Sequence, residues 1–253
     1  MKRFVIVAVI AACLLSAMAI SATATNTQTA TITLCPGENW VAAPLVPFNP
    51  STTALFAGFT GNITRFDSPE QRTISSDQAD FGGILLGDGY KITNPSQSTL
   101  SFSYEGVPDG VPDYSGNMTD MWISLPGNCI DNLDAGGMHW VGQPYNHKTL
   151  ISDMYMTDGS QALSIQESIT AGWIGSLWRG FDNQTQKTFT VGLSTYGADE
   201  NYFRAGSMYE IETHRDNLAL IIGATPDVPE PSSIVTLIFG VGAMAGTLMR
   251  KRK

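Results

Sequence analysis

The sequence predicts an all-β ectodomain, sandwich- or barrel-like, that is built from two related modules and flanked by a signal peptide and a transmembrane helix. Three observations support this prediction. Long apolar runs occur only at the two ends, short segments between them alternate apolar and polar residues, and three blocks of sequence recur in the same order. Outside the ends, no stretch sustains the period of about 3.6 residues that an amphipathic helix needs. The exception is 161–174, where we expect a short helix.

The first element has the pattern of a secretory signal peptide. Lys2 and Arg3 form a short basic region, and 4–20 is apolar except for one serine. Ala22 and Ala24 then give the small-residue pattern at which such peptides are cleaved, so we place the cut after Ala24 and the signal peptide at 1–24. The residues that follow are expected to be exported.

Two alternatives remain open at this end. Ala17 and Ala19 form a second pattern of the same kind, and Cys13 would be the acylated residue if this were a lipoprotein signal. About nine apolar residues precede Cys13 and the apolar run continues past it, which favours ordinary cleavage after Ala24.

The middle of the chain contains an internal repeat. Three blocks recur in the same order: 37–44 as 137–144, 66–74 as 181–189, and Tyr90 with 100–104 as Tyr209 with 218–222. We therefore expect a first module at 25–106 and a second at 129–224. The segment between them, 107–128, begins with glycine, proline and aspartate residues and is expected to be a connection.

Each repeated block predicts β structure. The first is a strand with a large aromatic residue, Trp40 or Trp140, which we expect in the core, and it ends at a proline that cannot donate to a ladder. The second places turn-forming residues, at 67–70 and 182–185, between short apolar segments and predicts a hairpin. The third alternates along 100–104, as a strand with one buried face does.

The exported part, 25–227, is strongly acidic. The chain has 14 Lys and Arg and 23 Asp and Glu, and six of these cations but only one of the acids lie outside 25–227. The formal charge of the exported part is therefore near −14. Such a surface repels nucleic-acid phosphates and anionic lipids, so we exclude both as ectodomain partners.

Two cysteines remain once the signal peptide is removed. Cys35 and Cys129 form an even pair in an oxidising compartment, which predicts a disulfide; two unpaired thiols are the alternative. The bond would close a loop of 94 residues. Closing a loop of that size is worth about 4–5 kcal/mol in the chain-entropy description.

No catalytic motif, metal-ligand spacing or cofactor-binding loop is found, so we expect no enzyme, metal or cofactor. His139, beside Trp140, is expected to be structural. Acidic residues are numerous, so a glycosidase remains an alternative. Exposed aromatic rings stack on sugars, and Trp173 and Trp178 have no counterpart in the first module; we consider them as glycan contacts, with burial in the core as the other interpretation.

The C-terminus predicts a membrane-spanning helix at 232–249. This stretch carries no charge and would extend roughly 27 Å as a helix, which is about the thickness of a bilayer core. Four cations follow it and should stay on the cytoplasmic side. They are Arg250, Lys251, Arg252 and Lys253.

Pro229, Glu230, Pro231 and Ser232 stand at the start of this helix. The order of motif, small-residue-rich helix and basic end resembles the PEP-CTERM sorting signal of Gram-negative bacteria, here at 225–253. The resemblance implies recognition and processing by exosortase, a membrane-embedded cysteine transpeptidase. It also implies transient anchoring in the inner membrane and a final place at the cell surface or in an exopolysaccharide-rich extracellular matrix.

These features together predict an exported, structural and non-enzymatic protein of the cell surface or matrix. Its expected partners are exosortase, the membrane through the C-terminal helix, and exopolysaccharide. The alternative is a carbohydrate-binding module or a carbohydrate-active enzyme of the envelope.

Overall fold

A computed structural model describes residues 27–108, 120–127, 136–192 and 202–223. The strands are β1 (Gln28–Leu34), β2 (Gly37–Ala42), β3 (Val46–Pro47), β4 (Asn62–Asp67), β5 (Arg72–Ser75), β6 (Gly89–Asn94), β7 (Leu100–Val107), β8 (Met121–Leu125), β9 (Met138–Gly142), β10 (Thr149–Leu150), β11 (Tyr155–Thr157), β12 (Ala162–Ser164), β13 (Leu177–Asp182), β14 (Lys187–Gly192), β15 (Tyr202–Phe203), β16 (Met208–Glu212) and β17 (Leu218–Ile222). The helices are α1 (Thr52–Leu55) and α2 (Ile165–Thr170), with 3₁₀ turns at Ala79–Phe81 and Ile151–Asp153.

The prediction of an all-β fold is confirmed. The described residues form several antiparallel sheets and no long helix. α2 lies within 161–174, where the sequence predicts a short helix, and it begins with a capping box between Ser164 and Glu167. Both predicted hairpins form, since Asp67 pairs with Arg72 and Asp182 with Lys187 across four-residue loops.

The first half, 27–108, contains two sheets that share one core. Sheet I has the strand order β1-β7-β3, and sheet II has the order β2-β6-β4-β5. β1 alternates as its sequence predicts: Ile32 and Leu34 are buried while the intervening threonines are exposed. These side chains meet Ile63, Ile92 and Tyr104 from the other strands in a single hydrophobic cluster.

The second half, 120–223, is built in the same way. Sheet III has the order β12-β11-β17-β8, sheet IV has the order β14-β13-β16-β9, and β10 pairs with β15. Leu220 and Ile222 from sheet III share a hydrophobic cluster with Trp178, Val191 and Tyr209 from sheet IV. Both faces of this core therefore come from strands whose alternate residues are apolar.

The two halves have the same strand order at corresponding positions. β2-β6-β4-β5 matches β9-β16-β13-β14, and β1-β7 matches β8-β17. The repeated blocks fall in matching strands, with Trp40 and Trp140 in β2 and β9, and Tyr90 and Tyr209 in β6 and β16. That the halves are copies of one module stays a prediction, which this shared order supports.

One boundary differs from the sequence interpretation. Residues 121–125 lie inside the expected connection, 107–128, yet they form β8 and pair along their whole length with β17. Ile123 and Leu125 point into the core, while Trp122 and Ser124 are exposed. Five alternating residues beside a turn-rich segment give a weak signal, and the partner that stabilises them comes far later in the chain.

The targeting predictions fall outside the described residues, as do Ala22, Ala24 and 232–249. Within the described ranges, no helix has the length and apolarity that a bilayer crossing requires. Cys35 is half-buried just after β1. Its disulfide with Cys129 stays a prediction, because Cys129 lies outside the described part of the chain.

Candidate functional site

The two tryptophans considered as glycan contacts are buried, which agrees with the other interpretation of them, burial in the core. Trp173 is 5% exposed, and the guanidinium of Arg215 lies 4.7 Å from its ring centroid. Trp178 is fully buried and packs edge-on against Phe203, with the ring centroids 6.3 Å apart. Neither ring is open to a sugar, because each faces the core of the second half.

A different pair of aromatic side chains is exposed, on the outer face of sheet III. Trp122 on β8 is 60% exposed and Tyr155 on β11 is 47% exposed. Ile221 on β17 stands directly between them, since it pairs with Trp122 on one side and with Tyr155 on the other. We call these three residues the aromatic row. It crosses two strand spacings, which is about 10 Å.

The residues beside the aromatic row are small. Two positions along the strands, Ser124 pairs with Ala219, and Ala219 pairs with Thr157. The two aromatic side chains of the row therefore stand next to a floor of short side chains. Exposed aromatic rings on a sheet surface can take the face of a sugar ring, which is apolar at its C–H groups.

The turn between β11 and β12 holds the Tyr155 strand in place. The carboxylate of Asp158 accepts hydrogen bonds from the hydroxyl and the N–H of Ser160, at 2.7 and 3.0 Å, and from the N–H of Gln161. These bonds, with Arg215 nearby, lower the pKa of Asp158 to about 2. Asp158 is thus ionised at neutral pH and serves the turn.

The matching face of the first half has a different character. On sheet I the exposed residues at the corresponding positions are hydroxyls, and the Oγ1 of Thr31 lies 3.0 Å from the Oγ of Ser103. Thr31 pairs with Ser103 as Trp122 pairs with Ile221. The aromatic row is therefore a property of the second half.

Three carboxylates of the second half have structural partners. Glu210 binds Lys91 and Arg179 at 2.7 and 2.8 Å. Hydrogen bonds from the Asp182 turn and the Glu167 capping box lower the pKa of both carboxyls. Within the described ranges, no three His, Cys, Asp or Glu side chains are grouped to hold a metal ion.

One surface depression of about 440 Å³ lies in the first half, against sheet I. Phe59, Leu100 and Phe102 form its apolar wall, and Asn94 and Ser96 contribute to its polar part. None of its lining residues is titratable. Its chemistry is therefore that of a shallow apolar hollow.

Sequence reasoning missed Trp122 as a candidate. The signal was present in the alternation of Met-Trp-Ile-Ser-Leu at 121–125, which places Trp122 and Ser124 on one face. Because these residues stand within the expected connection, 107–128, the sequence interpretation does not include the exposed face of β8. Of the other predicted site residues, those of the sorting motif lie outside the described ranges.

Comparison with known proteins bears on the C-terminus. The family model of the PEP-CTERM protein-sorting motif matches residues 227–253, so the resemblance drawn from Pro229, Glu230 and Pro231 is confirmed. No curated protein and no solved structure matches the chain. The motif indicates an exported protein that exosortase sorts.

Proposed function

We propose that this chain, which carries a PEP-CTERM sorting motif at 227–253, is exported, held briefly in the inner membrane and then placed at the cell surface or in the extracellular matrix. The match at the C-terminus is the observation that carries the proposal. The signal-peptide pattern at 1–24 agrees with it, because it brings the ectodomain to the side of the membrane where sorting leads.

The same proposal assigns the ectodomain a structural, non-enzymatic role. The structural contacts of titratable side chains support this role. Glu210 is bound by two cations, and Asp158 and Asp182 accept hydrogen bonds within turns. His139 is buried. Carboxylates held in this way are committed to folding. The compact β halves and the acidic surface suit a soluble component of a hydrated matrix.

The sorting proposal is tested by replacing both motif prolines. Without Pro229 and Pro231 the backbone before the helix loses its extended restraint, and the motif that the transpeptidase recognises is gone. We expect the P229A/P231A protein to accumulate at full length in the inner membrane fraction. Cell fractionation with mass spectrometry of both termini measures this.

Pro226 provides the matched control, because it lies just outside the matched residues, 227–253. The P226A protein should be processed and located as the wild type is. If P229A/P231A reached the same final location as the wild type, with the same C-terminus, the sorting proposal would be wrong.

A second function is favoured by the aromatic row: contact with a neutral or basic matrix polysaccharide. Trp122 and Tyr155 are among the exposed large apolar side chains, and they flank Ile221 at one register position of sheet III. The charge near −14 of the exported part disfavours an acidic glycan. A row of this length would bind a short stretch of polymer weakly, which suits a protein held among many chains.

This second function predicts a loss of binding on removing the rings. W122A/Y155A should weaken the retention of the exported part in affinity gels containing matrix polysaccharide by about thirtyfold, since each of the two rings contributes about 1 kcal/mol and about 1.4 kcal/mol is a factor of ten. Phe48 is 57% exposed in the first half and gives the control F48A. Equal retention of W122A/Y155A and wild type, with matching circular dichroism, would exclude the contact.

A further inference from the structure

The surface that joins the two halves is built from the same elements on both sides. From the first half it uses β2, β6 and the β4–β5 hairpin; from the second it uses β9, β16 and the β13–β14 hairpin. These are the strands that correspond in the shared order of sheets II and IV. The contacts across this surface, which we call the docking face, can therefore be compared pair by pair.

The aromatic contacts of the docking face occur twice, with partners exchanged. Trp40 stacks on Phe181 with the ring centroids 5.5 Å apart, and Trp140 packs on Phe66 at the same distance. Trp40 corresponds to Trp140, and Phe66 corresponds to Phe181, in the repeated blocks. The sequence predicts both tryptophans in a core; Trp40 is buried and Trp140 half-buried, and each contacts a phenylalanine of the other half.

Two glutamines repeat the same exchange. Gln186 accepts a hydrogen bond from the N–H of Glu38 at 2.8 Å and donates to its carbonyl at 2.7 Å. Gln71 makes the equivalent pair with Met138, at 2.8 and 3.2 Å. Gln71 and Gln186 each occupy the last loop position of their hairpin with a positive φ, 48° and 56° respectively. Each turn therefore presents its glutamine side chain to the other half.

The backbone contacts repeat as well. The N–H of Ala42 donates to the carbonyl of Gly206 at 3.0 Å, and the N–H of Gly142 donates to that of Gly87 at 2.8 Å. Contacts that recur with exchanged partners define a two-fold axis, as in an isologous dimer. The docking face thus has the geometry of a symmetric dimer interface inside one chain.

At the axis, each residue meets its own counterpart, and there the two halves differ. The Nζ of Lys91 lies 2.7 Å from a carboxylate oxygen of Glu210, and Lys91 and Glu210 follow the matching residues Tyr90 and Tyr209. The same ammonium lies 4.2 and 4.3 Å from the ring centroids of Trp40 and Trp140. Lys91 therefore serves both indoles, and it shares Glu210 with the half-exposed Arg179 of the second half.

The side chains that the two halves bring to the axis are complementary in size as well as in charge. A Cβ on Gly89 would lie 2.0 Å from the Cγ of Met208, its counterpart, and a Cβ on Gly142 would lie 2.5 Å from that of Ala42. Pairing two first-half faces would oppose two lysines, and pairing two second-half faces would oppose two glutamates and two methionines. Glu210 is only 7% exposed, so water would do little to screen such like charges.

We propose that the docking face is a module-pairing surface whose axis residues select the partner. It accepts a module of this fold that carries the opposite charge and size at the axis, in the same chain or in a second copy. Within one chain, Lys91 with Glu210 and Gly89 with Met208 satisfy both faces. The selection closes the molecule on itself and prevents like faces of neighbouring copies from joining.

The first test is a charge-reversal cycle in the full exported part, 25–227, with Cys35 and Cys129 replaced by serine in every variant. K91E and E210K should each lower Tm by about 5–10 °C, because each places like charges in a site shielded from water. K91E/E210K should recover most of this loss. K148E, the same change at a cation over the ring of Tyr202 in the second half, is the control and should have a smaller effect.

The second test uses two copies. E210K carries lysine at the axis of both halves and K91E carries glutamate at both, so opposite charges meet only between the two variants. An equimolar mixture should form a complex of one chain of each at twice the monomer mass in analytical ultracentrifugation, while each alone should not. A double variant no more stable than the singles, a K148E loss as large as theirs, or a mixture that stays monomeric would overturn the proposal.

Discussion

His139 is buried beside the strand end that carries Thr213. Its side chain is 1% exposed, and its Nε2 lies 3.0 Å from the Oγ1 of Thr213. The same hydroxyl lies 3.3 Å from the carbonyl oxygen of Gly137. Burial disfavours the charged imidazolium and lowers the pKa of His139 to about 4. The burial of His139 and its contact with Thr213 agree with the structural role that the sequence predicts for this histidine.

This lowered pKa predicts acid sensitivity in a defined window. The unfolded histidine titrates near 6.5, so between pH 6.5 and about 4 the unfolded state binds more protons than the folded state. Stability should therefore be fully present above pH 6.5 and fall as the pH falls, by about 2–3 kcal/mol at pH 4. Urea unfolding at pH 7, 5.5 and 4.5 measures the slope.

The slope should flatten in H139N, which removes the titrating group. H214N changes a histidine whose side chain is 47% exposed and should keep the wild-type slope. An H139N protein that loses stability over the same window as the wild type would assign the acid response to other groups, and the interpretation of His139 would fail.

The tryptophans show how far residue identity alone predicts the structural role of a side chain. The sequence places five of them in the exported part, but a tryptophan suits a core, an interface and a sugar platform equally well. The face of the strand on which a tryptophan lies decides among these three roles. Trp178 points into the second core, Trp40 lies between the halves, and Trp122 points to solvent.

Single strands and hairpins were the predictable elements. Turn residues at 67–70 and 182–185 and the alternation in β1 and β7 are local signals, and the structure confirms each of them. β8 was missed because its alternation is short. Its identity as a strand depends on β17, and a strand partner distant in sequence leaves no local mark.

The exchange of partners between the halves is a second element-level feature that sequence could not give. The repeat of Trp40 as Trp140 and of Phe66 as Phe181 is visible in the sequence, and it predicts two related modules. That each tryptophan meets the phenylalanine of the other half follows from the way the sheets dock. Repetition predicts the module, whereas the docking depends on surfaces that come together only after folding.

The whole molecule joins the two halves through the docking face, and one predicted covalent bond would join them again. Cys35 follows β1 and Cys129 follows β8, which are corresponding strands. The backbone at Cys35 is held by Asn39, which accepts from its N–H at 2.8 Å and donates to its carbonyl at 2.9 Å. A cysteine fixed in this way loses little further freedom on forming a disulfide.

We therefore expect a bond between Cys35 and Cys129 in the mature exported protein, as the oxidising compartment favours. Non-reducing mass spectrometry should find the two peptides linked. C35S/C129S should unfold at lower urea, with a loss of up to about 4–5 kcal/mol, because the open chain of the unfolded state regains the entropy that a 94-residue loop removes. The single variants should lose as much as the double one, since either removes the whole bond. If alkylation labels both thiols in native protein taken from the exported fraction, the halves are held by the docking face and not by a covalent link.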